Sequence, residues 1–319
     1  MGILLQLFML IIGFVLLMKG ADWFVDGASG IAGKLGIPEL IIGLTIVAMG
    51  TSLPEAAVSI SAAAKGSAEI TIGNVVGSNI LNVLIILGIT SLIRTIPVQK
   101  STVRYEIPFT MGVTMLLAGL GIFDHLIGRL DGGILWCFFI LYLSYLFYMA
   151  RHGCENAIGE QASKEESIKK AKPLLLLFLM ILVGGAMIVF GSDLTVDAAT
   201  AIAREFGMTE RFIGLTIVAF GTSLPELVTS VTAAIKGKSD IAIGNIVGSN
   251  IFNILFVVGT TALITPVQYA KGFLVDSIMA MLAVLLLLLC VLKDHRLGRI
   301  GGALMLLTYA GYFVYLIGG

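Results

Sequence analysis

Long apolar segments constrain the fold of this chain more than any other feature. Each stays apolar over about 20 residues, the length of a helix that crosses a bilayer, whereas strands of a membrane barrel alternate over about 10 residues. Charged residues make up only 13% of the sequence, against about 25% in soluble domains. The sequence therefore predicts an all-α integral membrane protein with ten spans, at residues 3–25, 39–64, 70–93, 105–123, 131–150, 173–198, 210–235, 241–263, 273–292 and 299–317.

The charge balance and the lack of nucleotide motifs exclude several classes of function. Basic and acidic residues number 20 each, so the chain offers no positive field for a nucleic acid. The sequence contains neither a phosphate-loop lysine motif nor a nucleophile elbow, which argues against ATP-driven transport and hydrolysis. We expect no cofactor, no nucleotide and no enzymatic activity, and the oligomeric state stays open.

The distribution of Lys and Arg among the loops predicts the orientation. Fourteen lie in the loops after the odd-numbered spans, and five in the loops after the even-numbered spans. Because positively charged loops face the cytoplasm, we expect both termini outside and the polar loop 151–172 inside the cell membrane. We interpret this loop as a linker between two halves, since it is too short for a folded domain.

An internal repeat divides the chain into these halves, 1–150 and 173–319. Residues 42–82 and 213–253 are identical at 28 of 41 positions, with an offset of 171. Each half holds five predicted spans, and an odd number makes the second copy start from the opposite side of the membrane. The sequence therefore predicts an inverted-topology repeat, a common build for secondary transporters.

Two glutamates lie in the middle of predicted spans, at equivalent positions of the repeat. Glu55 follows Pro54, and Glu226 follows Pro225. A charged side chain at the bilayer centre costs about 2.5–3.5 kcal/mol on insertion scales, so each needs a partner. Spans 2, 3, 7 and 8 carry no Lys or Arg away from their ends. The simplest counter-charge is a bound cation.

Neutral oxygen donors accompany both glutamates at helical spacing. Each proline also leaves the carbonyl four residues earlier without its helical partner. Oxygen ligands without thiolate or imidazole suit Ca²⁺ and, by the same logic, Na⁺. On the faces of the predicted spans, the candidate donors are Ala48, Thr51, Ser52, Ser59, Ser78 and Asn82 in the first copy, and Ala219, Thr222, Ser223, Ser230, Ser249 and Asn253 in the second.

Weaker matches extend the repeat toward its first spans. Asp22 corresponds to Asp193, and Asp26 corresponds to Asp197. All four fall near the ends of predicted helices, where we expect solvated or capping roles.

The motifs resemble those of the sodium/calcium exchanger family, within the cation/Ca²⁺ antiporter superfamily. The segments G-T-S-L-P-E at 50–55 and 221–226, with G-S-N-I-x-N at 77–82 and 248–253, look like that family's paired α-repeats. The resemblance implies a prokaryotic-type exchanger without regulatory domains. It also implies alternating access, with the first and sixth spans sliding past a rigid core.

The resemblance further implies roles for the candidate ligands. Glu55 and Glu226 would be the central shared ligands of Ca²⁺ and Na⁺, with Thr51 and Thr222 helping to bind Ca²⁺. Asn82 and Asn253 would line the middle position. The Na⁺ ligands would be the carbonyls of Ala48 and Ala219 and the hydroxyls of Ser52, Ser223, Ser78 and Ser249.

One departure from the family concerns charge. Some members place an Asp at one of the positions matching Asn82 and Asn253, whereas both are Asn here. The core then holds two formal negative charges, which balance one Ca²⁺ or two Na⁺. The leading hypothesis is a Na⁺/Ca²⁺ antiporter. The alternatives are a H⁺/Ca²⁺ antiporter, a passive cation channel and, more distantly, an intramembrane enzyme.

Overall fold

The structure is a computed structural model that describes residues 3–64, 68, 70–160, 172–207, 219–270 and 272–318. Nearly all of these residues are helical. The helices are α1 (Ile3–Leu35), α2 (Glu39–Thr51), α3 (Leu53–Ala64), α4 (Thr71–Ile93), α5 (Thr102–Phe123), α6 (Arg129–Glu160), α7 (Leu174–Glu205), α8 (Leu224–Ile235), α9 (Ser239–Ile264), α10 (Gly272–Leu292) and α11 (Arg299–Gly318). Four two-residue strands complete the fold, namely β1 (Ile96–Pro97), β2 (Leu126–Ile127), β3 (Val267–Gln268) and β4 (Arg296–Leu297).

The all-α membrane class is confirmed by these helices. Among the described residues, eight helices are long and apolar enough to cross a membrane, and the pair α2 and α3 makes a ninth candidate, bent by 48°. The predicted span 210–235 begins outside the described residues and continues within them as α8. Much of the predicted linker, residues 161–171, also lies outside them.

The bend between α2 and α3 has its cause in the sequence. Ser52 leaves helical geometry at φ −84° and ψ 9°, two residues before Pro54. Ser223 does the same before Pro225, at φ −90° and ψ 2°. A proline ring clashes with the preceding turn and removes a helical hydrogen bond, so the helix breaks at each of these two positions. Each glutamate therefore lies in the first turn after a helix break.

Helices α1 and α7 correspond to each other in the repeat and pack closely as an antiparallel pair. A Cβ added at Gly20 would lie 2.8 Å from the carbonyl oxygen of Gly184, and one added at Gly13 would lie 3.0 Å from that of Gly191. Small residues at this spacing let two backbones approach closely within a membrane. The contact pairs run in opposite directions along the two helices, which makes the pair antiparallel.

The short strands also pair reciprocally between the halves. Strand β1 pairs with β4, and β2 pairs with β3, both antiparallel. Strand β1 corresponds to β3 at an offset of 171 residues, and β2 corresponds to β4 at an offset of 170 residues. His125 and His295 precede β2 and β4 with left-handed backbone angles of φ 57° and 49°. Each half therefore contributes one strand to each of the two strand pairs.

The lengths of α1 and α7 correct one expectation. Both helices continue well past the predicted spans, to Leu35 and Glu205. Asp22, Asp26 and their repeat partners therefore lie inside helices rather than near helix ends. Continued packing between α1 and α7 explains the extension, because buried apolar contacts outweigh the weak helix propensity of the acidic positions.

Candidate functional site

The two glutamates predicted as ligands are fully buried. Glu55 lies in the first turn of α3 and Glu226 in that of α8, and both have 0% of their surface exposed. Their carboxylates are close enough to interact electrostatically. The two acidic side chains come from different halves and are both buried inside the helical core.

Each carboxylate receives a hydroxyl donor from another helix. Ser52 donates its hydroxyl to Oε1 of Glu226 at 2.8 Å, which links the first half to the second. Ser78 donates to Oε1 of Glu55 at 3.4 Å. Ser223 lies beside Glu55 as well, and its hydroxyl oxygen is buried. The serines at the helix breaks therefore point across the interface between the halves.

Several buried oxygens at this interface have no hydrogen-bond partner among the described residues. They include Oε2 of Glu55, Oε2 of Glu226, and Oδ1 of both Asn82 and Asn253. An unpaired buried acceptor costs about 1–3 kcal/mol, and more if it is charged. Within the described part of the chain, no ion pair involves either glutamate. Buried acceptor oxygens that lack donors, at equivalent positions in the two halves, suit a hard cation that prefers oxygen ligands.

A network of four asparagines holds two of these acceptors in place. Asn79 and Asn250 each donate their amide to the other's backbone carbonyl, at 3.1 and 3.2 Å. Asn82 donates to Oδ1 of Asn250 at 2.9 Å, and Asn253 donates to Oδ1 of Asn79 at 3.2 Å. Because the amide nitrogens are used, the side-chain oxygens of Asn82 and Asn253 stay free to accept. π-helical turns begin at both residues, Asn82–Ile86 and Asn253–Val258.

Thr51 and Thr222 occupy equivalent positions but different environments. Thr51 is 2% exposed and donates to Oδ1 of Asn245 at 3.0 Å. Thr222 is half-buried and lines a cavity of about 430 Å³. Asp193 and Asp197 of α7 line the same cavity. The two threonines predicted to bind Ca²⁺ are therefore not equivalent in this structure.

The end of α8 is tied to α1. Lys236 approaches Oδ1 of Asp22 at 3.2 Å and Oδ1 of Asp26 at 2.7 Å, and it also donates to the Asp22 carbonyl. Lys238 pairs with Glu39 at 2.7 Å. Asp22 and Asp26 thus serve as ion-pair partners and not as helix caps, while their side chains stay exposed to solvent, as the sequence predicted.

The remaining predicted donors lie at the helix breaks. The carbonyl of Ala48 accepts a hydrogen bond from Ser249 at 3.3 Å, which joins α2 to α9. Ala219 begins the short helical segment Ala219–Gly221 before α8. Hydrogen bonds therefore connect Ser52 with Glu226, Ser78 with Glu55 and Ser249 with Ala48, whereas Thr222 lines the cavity.

Sequence reasoning missed four asparagines that support the site. Asn79 and Asn250 form the network described above, and Asn245 contacts Thr51. Asn74 and Asn245 also donate to Ser59 and Ser230, both at 2.9 Å. All four stand in the duplicated motifs G-N-x-x-G-S-N, so their duplication was the available signal. Within the described residues, no group of three or more His, Cys, Asp or Glu side chains could hold a metal.

Comparison with known proteins identifies the family. The family model described as sodium/calcium exchanger protein matches residues 5–149 and 176–318. The sodium/calcium exchanger MaX1 of Methanosarcina acetivorans is 32% identical over 349 residues, covering 96% of this chain and 97% of that relative. The inner membrane protein YrbG of Escherichia coli is 37% identical, covering 98% of this chain and 96% of the relative.

A solved structure also matches over the full chain. The sodium-calcium exchanger NCX_Mj, soaked with zero Na⁺ and Ca²⁺, superimposes with a TM-score of 0.83 and 29% sequence identity. The match covers 99% of this chain and 100% of that one.

Proposed function

We propose that this chain, which belongs to the sodium/calcium exchanger family, exchanges Na⁺ for Ca²⁺ across the membrane by alternating access. The observation that carries the proposal is the pair of fully buried glutamates, Glu55 and Glu226, each with one carboxylate oxygen that lacks a partner among the described residues. Buried carboxylates without a cationic side chain are stable when a cation from solution binds between them.

The charge of the site supports exchange at one shared place. Two carboxylates balance one Ca²⁺ or two Na⁺, so both ions satisfy the same oxygens in turn. Asn82 and Asn253 add neutral acceptors, and their network with Asn79 and Asn250 fixes the direction of those acceptors. Because Ca²⁺ and Na⁺ compete for one oxygen set, release of one ion allows binding of the other.

Ten spans in two inverted repeats are the architecture that fits this function. The antiparallel packing of α1 against α7 supports it, because equivalent helices of the two halves run in opposite directions. The two segments that match the family model also fall within the predicted halves, 1–150 and 173–319. The excess of Lys and Arg in the loops after odd-numbered spans supports external termini and a cytoplasmic linker at 151–172.

The unequal environments of the two halves support alternating access. The cavity beside Thr222 lies along α7 and is also lined by Pro54, the residue before Glu55. On the α1 side, Lys236 binds Asp22 and Asp26, and the equivalent Lys65 lies outside the described residues. A transporter of this kind needs a second state in which the closed and open sides are exchanged.

A H⁺/Ca²⁺ antiporter is the second candidate. The same observation favours it, since a buried carboxylate without a bound cation is neutralised by a proton. The two candidates differ in the ion whose gradient drives Ca²⁺ movement.

Ion-gradient-driven flux of ⁴⁵Ca in proteoliposomes tests the proposal. We expect an outward Na⁺ gradient at fixed pH to drive Ca²⁺ uptake, and Glu55→Gln to give the background of protein-free liposomes. Varying K⁺ and H⁺ separately completes the design. Uptake driven by a pH gradient alone would replace Na⁺ by H⁺ as the coupling ion. Flux that needs no counter-ion, with unitary current steps, would identify a channel instead.

A further inference from the structure

Asn245 lies behind the predicted Ca²⁺ ligand Thr51 and has not been assigned a role above. It is 0% exposed on α9, and its side chain contacts two other helices. Its Oδ1 accepts the hydroxyl proton of Thr51 at 3.0 Å, while its amide nitrogen donates to Ser230 at 2.9 Å and to the Glu226 carbonyl at 3.4 Å. The amide therefore uses its acceptor toward one half and its donors toward the other.

The direction of the hydroxyl proton decides whether Thr51 can bind a cation. A hydroxyl has one proton and two lone pairs, and it coordinates a cation through a lone pair only when the proton points elsewhere. Besides the Glu226 carboxylate, Thr51 has two acceptors within reach, Asn245 at 3.0 Å and the Ala48 carbonyl at 3.3 Å. The contact to Asn245 is the shorter of these two hydrogen bonds. Thr51 also lies beside the Glu226 carboxylate, where a shared cation would bind.

We propose that Asn245 is a positioning residue that accepts the hydrogen bond of the Thr51 hydroxyl and so turns a lone pair of its oxygen toward the cation shared by Glu55 and Glu226. The assignment rests on the proposed function, because it requires a cation at the two glutamates. Outer partners that orient a ligand typically change metal affinity by about 10–100-fold when they are replaced.

The equivalent position of the repeat provides a comparison within the same molecule. Asn74 occupies the position equivalent to Asn245 and makes the same donor contacts, to Ser59 at 2.9 Å and to the Glu55 carbonyl at 3.2 Å. In the described part of the chain, however, Thr222 makes no hydrogen bond to Asn74, since it faces the cavity. The donor contacts of the two asparagines are alike, and only the acceptor contact differs.

Calorimetric titration of the purified protein with Ca²⁺ tests the assignment. We expect Asn245→Leu to weaken Ca²⁺ binding by about tenfold or more, and Thr51→Val to do the same. In the Thr51→Val background, Asn245→Leu is expected to add less than about twofold, because the hydroxyl it orients is gone. Asn74→Leu and Thr222→Val form the matched control, whose effects we expect to multiply.

Asn245→Asp separates positioning from a purely structural role. This variant keeps an acceptor for Thr51 but loses both amide donors, so positioning predicts Ca²⁺ binding at least as tight as in the unmodified protein. Additive effects of Asn245→Leu and Thr51→Val, or equal losses in Asn245→Asp and Asn245→Leu, would overturn the assignment while leaving the proposed function standing. An unmodified protein that binds no Ca²⁺ would overturn both.

Discussion

The first spans of the two halves, α1 and α7, carry equivalent aspartates that have different neighbours among the described residues. On α1, Asp22 and Asp26 bind Lys236 from the end of α8. On α7, Asp193 and Asp197 line an open cavity. Among the described residues, the aspartates of α1 bind a lysine and those of α7 line a cavity, and Lys65, the equivalent of Lys236, lies outside these residues. The comparison teaches that a repeat with nearly equal sequences need not be symmetric in any one state.

The candidate ligands Thr51 and Thr222 also differ in their surroundings. Thr51 is buried and bonded to Asn245, whereas Thr222 is half-buried beside the cavity. The two glutamates are alike in burial, since Glu55 and Glu226 are both 0% exposed and each keeps one unpartnered oxygen among the described residues. The threonines beside the glutamates therefore differ in burial, whereas the glutamates do not.

The largest expected effect tests the symmetric centre. Glu55→Gln and Glu226→Gln should each lower Na⁺-driven ⁴⁵Ca flux by more than about 100-fold, because replacing an outer partner alone changes metal affinity by about 10–100-fold. Both variants keep the shape of the side chain, so a monodisperse elution profile in detergent controls for folding. Wild-type flux in either variant would mean that only one half supplies the charge.

The contact between α1 and α7 gives the next effect. Gly20→Ala places a Cβ 2.8 Å from the Gly184 carbonyl, and the resulting separation of the helices should destabilise the protein by about 1–3 kcal/mol. Thermal unfolding in detergent measures this change.

Gly33 supplies the matched control on the same helix. A Cβ there meets nothing within 4 Å among the described atoms, so Gly33→Ala should leave stability unchanged or raise it by up to about 1 kcal/mol. Equal melting temperatures for Gly20→Ala and Gly33→Ala would show that the close approach of α1 and α7 contributes no stability.

The asparagine network provides a third test. Asn253→Asp adds a third negative charge and removes the donor that reaches Oδ1 of Asn79 at 3.2 Å. We expect the Ca²⁺ affinity to change by about tenfold, the effect of about 1.4 kcal/mol, and flux to fall on acidification as protons compete for the added carboxylate.

The equivalent change in the first half sharpens this test. Asn82→Asp removes the matching donor to Asn250 and should give the same pH profile, because the network is reciprocal. An unchanged affinity and pH profile in both variants would exclude these positions from the site. Flux measured between pH 6 and pH 8 covers the relevant range.

The smallest expected effect concerns the ion pairs between Lys236 and α1. Lys236→Gln removes an ion pair that is partly exposed to solvent, and such pairs contribute at most about 1 kcal/mol. Loss of this ion pair should reduce the population of the state in which the cavity reaches Thr222, by up to about fivefold. The rate of thiol labelling in Thr222→Cys, with the native cysteines replaced by serine, measures that population.

A loop lysine controls for the loss of charge. Lys293 is exposed after α10, and Lys293→Gln should leave the labelling rate unchanged. Equal labelling rates in Lys236→Gln and the unmodified background would show that the ion pair does not hold the α1 side closed. High salt should reproduce part of the Lys236→Gln effect, because partly exposed pairs are screened.

Much of the fold and the candidate site was predictable from the sequence. Apolar length predicts spanning helices regardless of their packing, and the prolines before Glu55 and Glu226 predict the breaks at which both side chains lie. The repeat at 42–82 and 213–253 points to an oxygen-rich site. The expectation that Asp22 and Asp26 lie near a helix end was wrong, because the position of a helix end depends on tertiary packing rather than on local sequence alone.

The sequence by itself determined that this chain spans a membrane, contains a duplication and carries two buried acids with neutral oxygen donors. These properties follow from composition and spacing along the chain. Only the tertiary structure decided which oxygens lack partners, that Asn245 contacts Thr51, and that Lys236 binds α1. The physical reason is that these contacts join residues far apart in the chain, so they depend on which neighbours folding gives to each copy of the repeat.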